Sequence, residues 1–253
     1  MAQIEITSLS NELVKETVKL QQKKYRVQTG KFLLEGRKCV EEALLSGIKL
    51  ESLFIDKNSD LVEVFKDVCD VVLTVEAVLK KISTTDSAPE IVAVGFQKES
   101  KFEDIKDAKK VLLLENIKDS GNLGTILRTS KAFGVDGVIL FGDTIDLYNP
   151  KCVRSAVGNL WKLPVLSVKD FDFLEKQFAD YEKVATLPAG ENVVNLKNYE
   201  SKEKVLLMFG SEADGLSDVL KNFATKNVTI EMDDAVESLN LAVSVAVFLY
   251  HLV

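Results

Sequence analysis

The sequence predicts an α/β protein of two regions, the second built on a parallel sheet. Three observations lead there. Apolar runs of strand length alternate with helical patterns along the 253 residues. In the second half these runs are "VLLLE", "GVILF", "LPVLSV", "KVATL", "KVLLMFG" and "VTIEM". They are nearly continuous instead of alternating, as in strands buried on both faces. Between the halves lies "QKESKFEDIKDAKK", charged and without apolar periodicity, which reads as a linker. The expected division is a smaller α/β domain over 1–97, a linker over 98–110 and a larger domain over 111–253.

In the first region a basic helix over roughly Ser10 to Tyr25 precedes the strand "KFLLEG". A helix from Arg37 to Leu45, the strand "LESLFID" and a helix near Leu61 to Val68 follow. "VVLTV", a short helix over Glu76 to Ile82 and "IVAVGF" complete a small sheet with helices packed on it. In the second region the polar and glycine-rich stretches follow the strands: "ENIKDSGNLG", "FGDTIDLYNP", "TLPAGEN", "FGSEADGLS" and "EMDDAVESLN". Parallel sheets bind ligands at the C-terminal ends of their strands.

A hydrophobic content of 46% suffices for real cores. Cys39, Cys69 and Cys152 are far apart, so neither a disulfide framework nor a zinc site is indicated, and a reducing cytoplasm is expected. "MAQIEITSLSNELVK" lacks the basic start and apolar core of a secretory signal. The terminal "LNLAVSVAVFLYHLV" is shorter than the ~20 residues a membrane helix needs, and reads as a helix in a core or subunit interface. The single histidine, His251, near the chain end, makes a Ser-His-Asp triad or a His-ligated metal improbable. The net charge of −7 argues weakly against a nucleic-acid partner, but Lys15 to Lys38 is a basic run, either a solvated helix face or a phosphate-contacting patch.

Three stretches can carry chemistry. In "ENIKDSGNLGTILRTSKAF" a helical wheel gathers Leu123, Ile126, Leu127, Ser130 and Phe133 on one side and Gly124, Arg128 and Lys131 on the other. A phosphate or sugar could then approach Arg128 past Gly124 at the helix start; alternatively Asn122 is only a cap and Arg128 a surface charge. In "MFGSEADGLSDVL", Glu212 follows a strand ending at Gly210, and Gly215 permits a tight turn. The loop matches neither dinucleotide-binding nor P-loop fingerprints. Glu212 either faces a ligand or caps the next helix. In "ESLNLAVSVAVFLY", Ser238 and Asn240 both stand at a helix start, where one suffices as cap.

In order and spacing the three blocks resemble the SpoU/TrmH branch of the SPOUT RNA methyltransferases. Asn116, Asn122, Gly124, Arg128 and Thr129 match its first motif and "RSAVGNLWKLPV" (Arg154 to Val165) its second. Gly210, Glu212, Gly215, Leu216, Ile230, Met232, Ser238, Leu239 and Asn240 match its third. The stretch from "ITSLSNELVK" through "KKYRVQTGKFLLEG" resembles the ribosomal-protein-like substrate-binding domain that precedes many such enzymes. Two positions depart from the pattern: Glu231 stands where the family has proline, and Glu90 where it has glycine.

The resemblance implies a C-terminal α/β fold with a deep trefoil knot, a homodimer joined through that domain, and no membrane. It implies S-adenosyl-L-methionine held by Thr186, Leu187, Gly210, Ile230, Met232 and Leu239. The implied reaction is 2′-O-methylation of an RNA ribose, with no metal. The extra N-terminal domain points to ribosomal over transfer RNA, and Lys23, Lys24, Arg26, Lys31 and Arg37 would contact it. Arg128 would be the catalytic cation, oriented with the ribose by Asn122, Glu212, Ser238 and Asn240. A neutral guanidinium at pH 7 costs roughly 7 kcal/mol or more, which favours electrostatic stabilisation and leaves general-base action open. The alternatives are a transfer-RNA 2′-O-methyltransferase, a base methylase, and a non-catalytic RNA- or ribosome-binding relative.

Overall fold

The computed structural model describes residues 2–233 and 235–252. The chain forms two compact units. One runs to Lys98 and includes Asp146–Trp161; the other comprises Glu99–Ile145 and the chain from Lys162 onward.

The first unit contains β1 (Gln3–Glu5), α1 (Glu12–Lys19), α2 (Lys23–Thr29), β2 (Lys31–Glu35), α3 (Arg37–Leu45), β3 (Leu50–Asp56), α4 (Leu61–Phe65), β4 (Asp70–Thr74), α5 (Glu76–Ile82) and β5 (Ile91–Phe96). Its sheet has the order β1-β4-β3-β5-β2; β1, β4 and β3 are parallel, and β5 is antiparallel to both of its neighbours. Val14, Leu33, Phe54, Val78, Leu79 and Val92 fill its core. The single basic helix expected over Ser10 to Tyr25 is instead two. Leu20 turns into the core, Gln22 is extended (φ −101°, ψ 134°), and the Gln21 amide donates to the carbonyls of Lys81, Ile82 and Ser83 at 3.0, 3.1 and 3.0 Å. Those bonds hold the break against the end of α5.

The second unit contains β6 (Lys110–Glu115), α6 (Ser120–Ala132) and β7 (Gly137–Phe141); the chain then contributes α7 (Pro150–Ala156) to the first unit. On returning it forms β8 (Val165–Val168), α8 (Phe171–Gln177), β9 (Glu182–Thr186), β10 (Val194–Asn195), β11 (Val205–Phe209), α9 (Asp218–Phe223), β12 (Lys226–Thr229) and α10 (Leu241–His251). The seven strands are all parallel, in the order β10-β12-β9-β11-β6-β7-β8. Every residue of β7 and β11 is buried, as their unbroken apolar runs required. "VTIEM" leaves the sheet early: β12 ends at Thr229, and Ile230 to Met232 lie beyond it.

Arg26, expected to contact RNA, has a structural role. Its side chain is 2% exposed, pairs with Asp146 through Nε and Nη2 at 2.7 and 2.6 Å, and donates from Nη1 to the Leu20 carbonyl at 2.8 Å. A buried guanidinium satisfied in this way offers nothing to a phosphate. A second pair links Arg154 of α7 to buried Glu35 at 2.7 Å, and Glu35 also accepts from the Thr84 amide and hydroxyl at 3.0 and 2.9 Å. Both pairs tie residues 146–161 into the first unit.

Two outcomes follow from this burial. Arg26→Ala leaves the Asp146 carboxylate and the Leu20 carbonyl without their donors, and should cost about 3–5 kcal/mol in denaturant unfolding, whereas Lys23→Ala, at an exposed position, should cost almost nothing. Burial pushes the Cys39 and Cys152 thiols up to about 12 and Cys69 up to about 11. All three thiols stay protonated at neutral pH, so a chromogenic disulfide reagent at about pH 8 should titrate them only after denaturation.

Candidate functional site

The register of the second sheet sets the site. β11 pairs with β6 from Val205↔Lys110 to Phe209↔Leu114, so the loops after the two strands emerge side by side. On the other side of β11, the Thr186 hydroxyl at the end of β9 donates to the Met208 carbonyl at 2.9 Å. The C-terminal ends of β9, β11 and β12 therefore share one edge of the unit.

Beyond β6 the chain turns through Asn116, whose φ of 54° is left-handed and whose Oδ1 accepts from the Asp143 amide at 2.8 Å. Asp119 then caps α6, accepting the Asn122 amide at 2.7 Å. The alternative that Asn122 is only a cap is thus set aside, because the helix starts one residue after Asp119 and Asn122 stands in its first turn. That frees the Asn122 side chain. Its Nδ2 donates to Glu212 Oε1 at 2.6 Å, and its Oδ1 accepts from Asn240 Nδ2 at 3.0 Å. Asn240 also caps α10, accepting from the amides of Ala242 and Val243 at 2.9 and 3.4 Å. A single amide thus joins residues 90 and 118 positions further along the chain.

Glu212 and Asn240 also line a cleft of about 600 Å³, within the range of small-molecule sites. Thr186, Leu187, Gly210, Ile230, Met232 and Leu239, all expected around a cofactor, line this cleft, and Ser238 is on its wall. At Gly210 a Cβ would run into the backbone of Gly215 and Leu216, so the loop closes on itself only with glycine there. Gly215, at φ 67°, supplies the return. The result is a main-chain cradle with hydroxyls from Thr229, Ser211 and Ser244 and an apolar floor of Phe209 and Phe248.

Arg128 lies on the outer face of α6, exposed, roughly 9 Å along the helix axis from Asn122. Among the described residues no hydrogen bond or ion pair engages its side chain. Gly124 does not share that exposure: it is buried at the margin of the stripe formed by Leu123, Ile126, Leu127 and Ser130, which corrects its placement on the outer side. Thr125, Thr129 and Phe133 instead line an open groove with Val243, Ala246, Val247 and Tyr250 of α10. His251 lies away from these residues in the contacts it makes: its Nε2 meets the Tyr199 carbonyl at 2.8 Å.

Sequence reasoning missed Glu115. Only 4% exposed at the end of β6, its carboxylate accepts the Ser217 amide at 2.7 Å, and Ser217 in turn caps α9. This anchors the far end of the Gly210–Leu216 loop. The available signal was a charged residue closing an otherwise apolar strand run.

Of the basic residues expected to contact RNA, Lys23 and Lys24 are exposed and make no ion pair among the described residues, while half-buried Lys31 pairs with Glu51 and exposed Arg37 with Glu41. Glu231 pairs with Lys197, and no group of described residues could hold a metal ion.

Comparison with known proteins shows what the chain is similar to. The SpoU rRNA Methylase family model matches residues 109–250, more than half of the chain, and the MRM3-like substrate binding domain matches residues 11–93. The 23S rRNA (guanosine(2553)-2′-O)-methyltransferase RlmP of Bacillus subtilis is 34% identical over 249 residues, covering 98% of each chain. A 23S rRNA (uridine(2479)-2′-O)-methyltransferase of Streptomyces viridochromogenes is 27% identical, covering 90% of this chain and 84% of its own. Among solved structures, an AdoMet-bound rRNA methyltransferase from Sinorhizobium meliloti superposes with a TM-score of 0.88 at 31% identity over 98% of this chain and 97% of its own. The SpoU methyltransferase AviRb of Streptomyces viridochromogenes, in complex with AdoMet, gives 0.86 at 26% identity over 95% and 96%. The chain belongs to the SpoU rRNA methylase family.

Proposed function

We propose that the protein is an S-adenosyl-L-methionine-dependent methyltransferase acting on a ribose 2′-hydroxyl of ribosomal RNA. The observation that carries this reading is the junction of the Asn240–Asn122–Glu212 bridge with the glycine-walled cleft. A cofactor seat and a polar positioning network thereby share residues. The rRNA 2′-O specificity of relatives that match nearly the whole chain supports the choice of substrate.

The cleft suits the cofactor: Gly210 leaves main chain exposed where a side chain would intrude, and the hydroxyls of Thr229, Ser211 and Ser244 are set against an apolar floor. Thr186, Leu187, Gly210, Ile230, Met232 and Leu239 would hold it. When bound it supplies an electrophilic methyl group on a sulfonium, so no metal is required for activation. The chain's own task is to orient the ribose and accommodate charge developing on its 2′-oxygen. Asn122 is fixed at both ends of its amide, and Glu212 and Ser238 face the cleft beside it. Arg128 has its guanidinium free for the phosphate and the developing alkoxide.

Three further readings belong to the same proposal. Ile230, Met232 and residues 237–240, between β12 and α10, line one cleft with residues 186–188 and 209–216, which supports a deep trefoil knot. The groove between α6 and α10, with Val243 47%, Val247 38% and Tyr250 74% exposed, supports a homodimer through this unit. Lys23 and Lys24, with Lys31 and Arg37 after exchange of their carboxylate partners, would contact RNA. A cytoplasmic location fits the three free cysteines, and among the described residues no helix is long and apolar enough to cross a membrane.

Incubating the protein with unmodified ribosomal RNA and methyl-labelled cofactor should yield a labelled 2′-O-methylnucleoside after complete digestion. Arg128→Ala should lower the turnover by on the order of a hundredfold to a thousandfold while cofactor affinity, measured by calorimetry, is unchanged. Label recovered on a base, or near-full turnover by the variant, would overturn the reading.

A further inference from the structure

Glu231 is the residue at which the cleft's outer wall is fastened to the sheet. Ile230 and Met232 both line the cleft, while between them the Glu231 carboxylate accepts Lys197 Nζ at 2.7 Å and Asn195 Nδ2 at 3.0 Å, both on the same oxygen. Those partners are well anchored. Asn195 ends β10, which pairs in register with β12 (Val194↔Val228, Asn195↔Thr229), and its Oδ1 accepts the Lys197 amide at 3.0 Å. β12 is the strand that runs directly into Ile230.

The other described residues of the wall have few further polar ties. Among the described residues of 231–239, the other polar bonds are local: the Ala235 amide to Asp233 Oδ1 at 2.9 Å and the Val236 amide to the Asp233 carbonyl at 3.0 Å. The next tie to the body of the unit is Asn240, through Asn122. Glu231 thus closes one end of the wall and Asn240 the other. Proline would restrict φ at such a position by its ring. A glutamate has no such restriction, and the Lys197–Asn195 contacts supply the constraint from outside.

We infer that Glu231, with Lys197 and Asn195, is a positioning element that sets the affinity for S-adenosylmethionine by holding Ile230 and Met232 in the cleft wall. It does not touch reacting atoms. The inference rests on the assignment of this cleft to the cofactor. The bonds from Lys197 and from the amide of Asn195 keep the Glu231 carboxyl below the usual range. The pair is open to water, at 76% and 57% side-chain exposure, so its contribution is modest and sensitive to salt.

The test uses the 253-residue protein, with cofactor affinity from calorimetry, turnover on ribosomal RNA, and thermal unfolding as a control. Glu231→Ala should weaken S-adenosylmethionine binding roughly two- to fivefold, with kcat at saturating cofactor unchanged. Glu231→Lys, which opposes Lys197, should weaken it further, and the reversed pair Glu231→Lys with Lys197→Glu should restore it to within about twofold of wild type. Glu231→Gln keeps an acceptor for Asn195 without the charge and should fall between wild type and Glu231→Ala, which guards against a folding defect in the reversal. Unchanged affinity in Glu231→Lys, or a loss that the reversed pair does not recover, overturns the inference. Leu239→Trp, which fills the cleft, separates the two levels: if that variant binds the cofactor like wild type, the cleft assignment itself fails; if it loses binding while Glu231→Lys keeps it, only the role of Glu231 fails.

Discussion

The parallel pairing of β11 with β6 is the constraint on which the site depends. Its register sets Phe209 opposite Leu114, so Gly210, the residue after β11, falls beside Glu115, the last residue of β6. From that one adjacency come the Glu115–Ser217 anchor and the Asn122–Glu212 bond, which join the start of α6 to the glycine loop. α10 packs against α6 and delivers Asn240 to the same amide. A shift of one residue would turn the alternate faces of a strand over and separate these loops, so hydrophobic burial of the strands and placement of the polar bridge are one event.

Local chemistry was readable where it is local. The unbroken apolar runs gave the buried parallel strands, and Gly210 and Gly215 marked the tight loop before any contact was known. Asn122 could be read either as a positioning residue or as only a cap, because Asp119 and Asn122 are both good cap formers three residues apart and only the backbone decides which of them caps the helix. Gly124 was set on the outer face by the wheel; in the fold the buried stripe is wide enough to include it.

What could not be read is long-range. A run such as "KKYRVQTGK" looks uniformly basic, yet Arg26 is enclosed and neutralised by an aspartate 120 positions away while Lys23 and Lys24 stand in solvent. The same holds for Arg154, which lies in a family motif but binds Glu35 of the first unit. The two pairs explain why residues 146–161 belong to that unit although the chain on either side of them belongs to the sheet of the second. Glu231 shows the reverse case. A departure from the family pattern had no evident compensation in sequence, and its partners, Lys197 and Asn195, become neighbours only through the β10–β12 pairing.

The bridge makes a quantitative demand, since Asn122 and Glu212 should act as one unit in orienting the ribose. The direct measurement is a double-mutant cycle on kcat/KM with Asn122→Ala, Glu212→Ala and the pair together, on ribosomal RNA at saturating cofactor. If the 2.6 Å bond between them is what positions the site, the double variant should be little worse than the more damaged single variant. Losses that simply multiply would mean that the two residues work independently and that the bridge is not the positioning device.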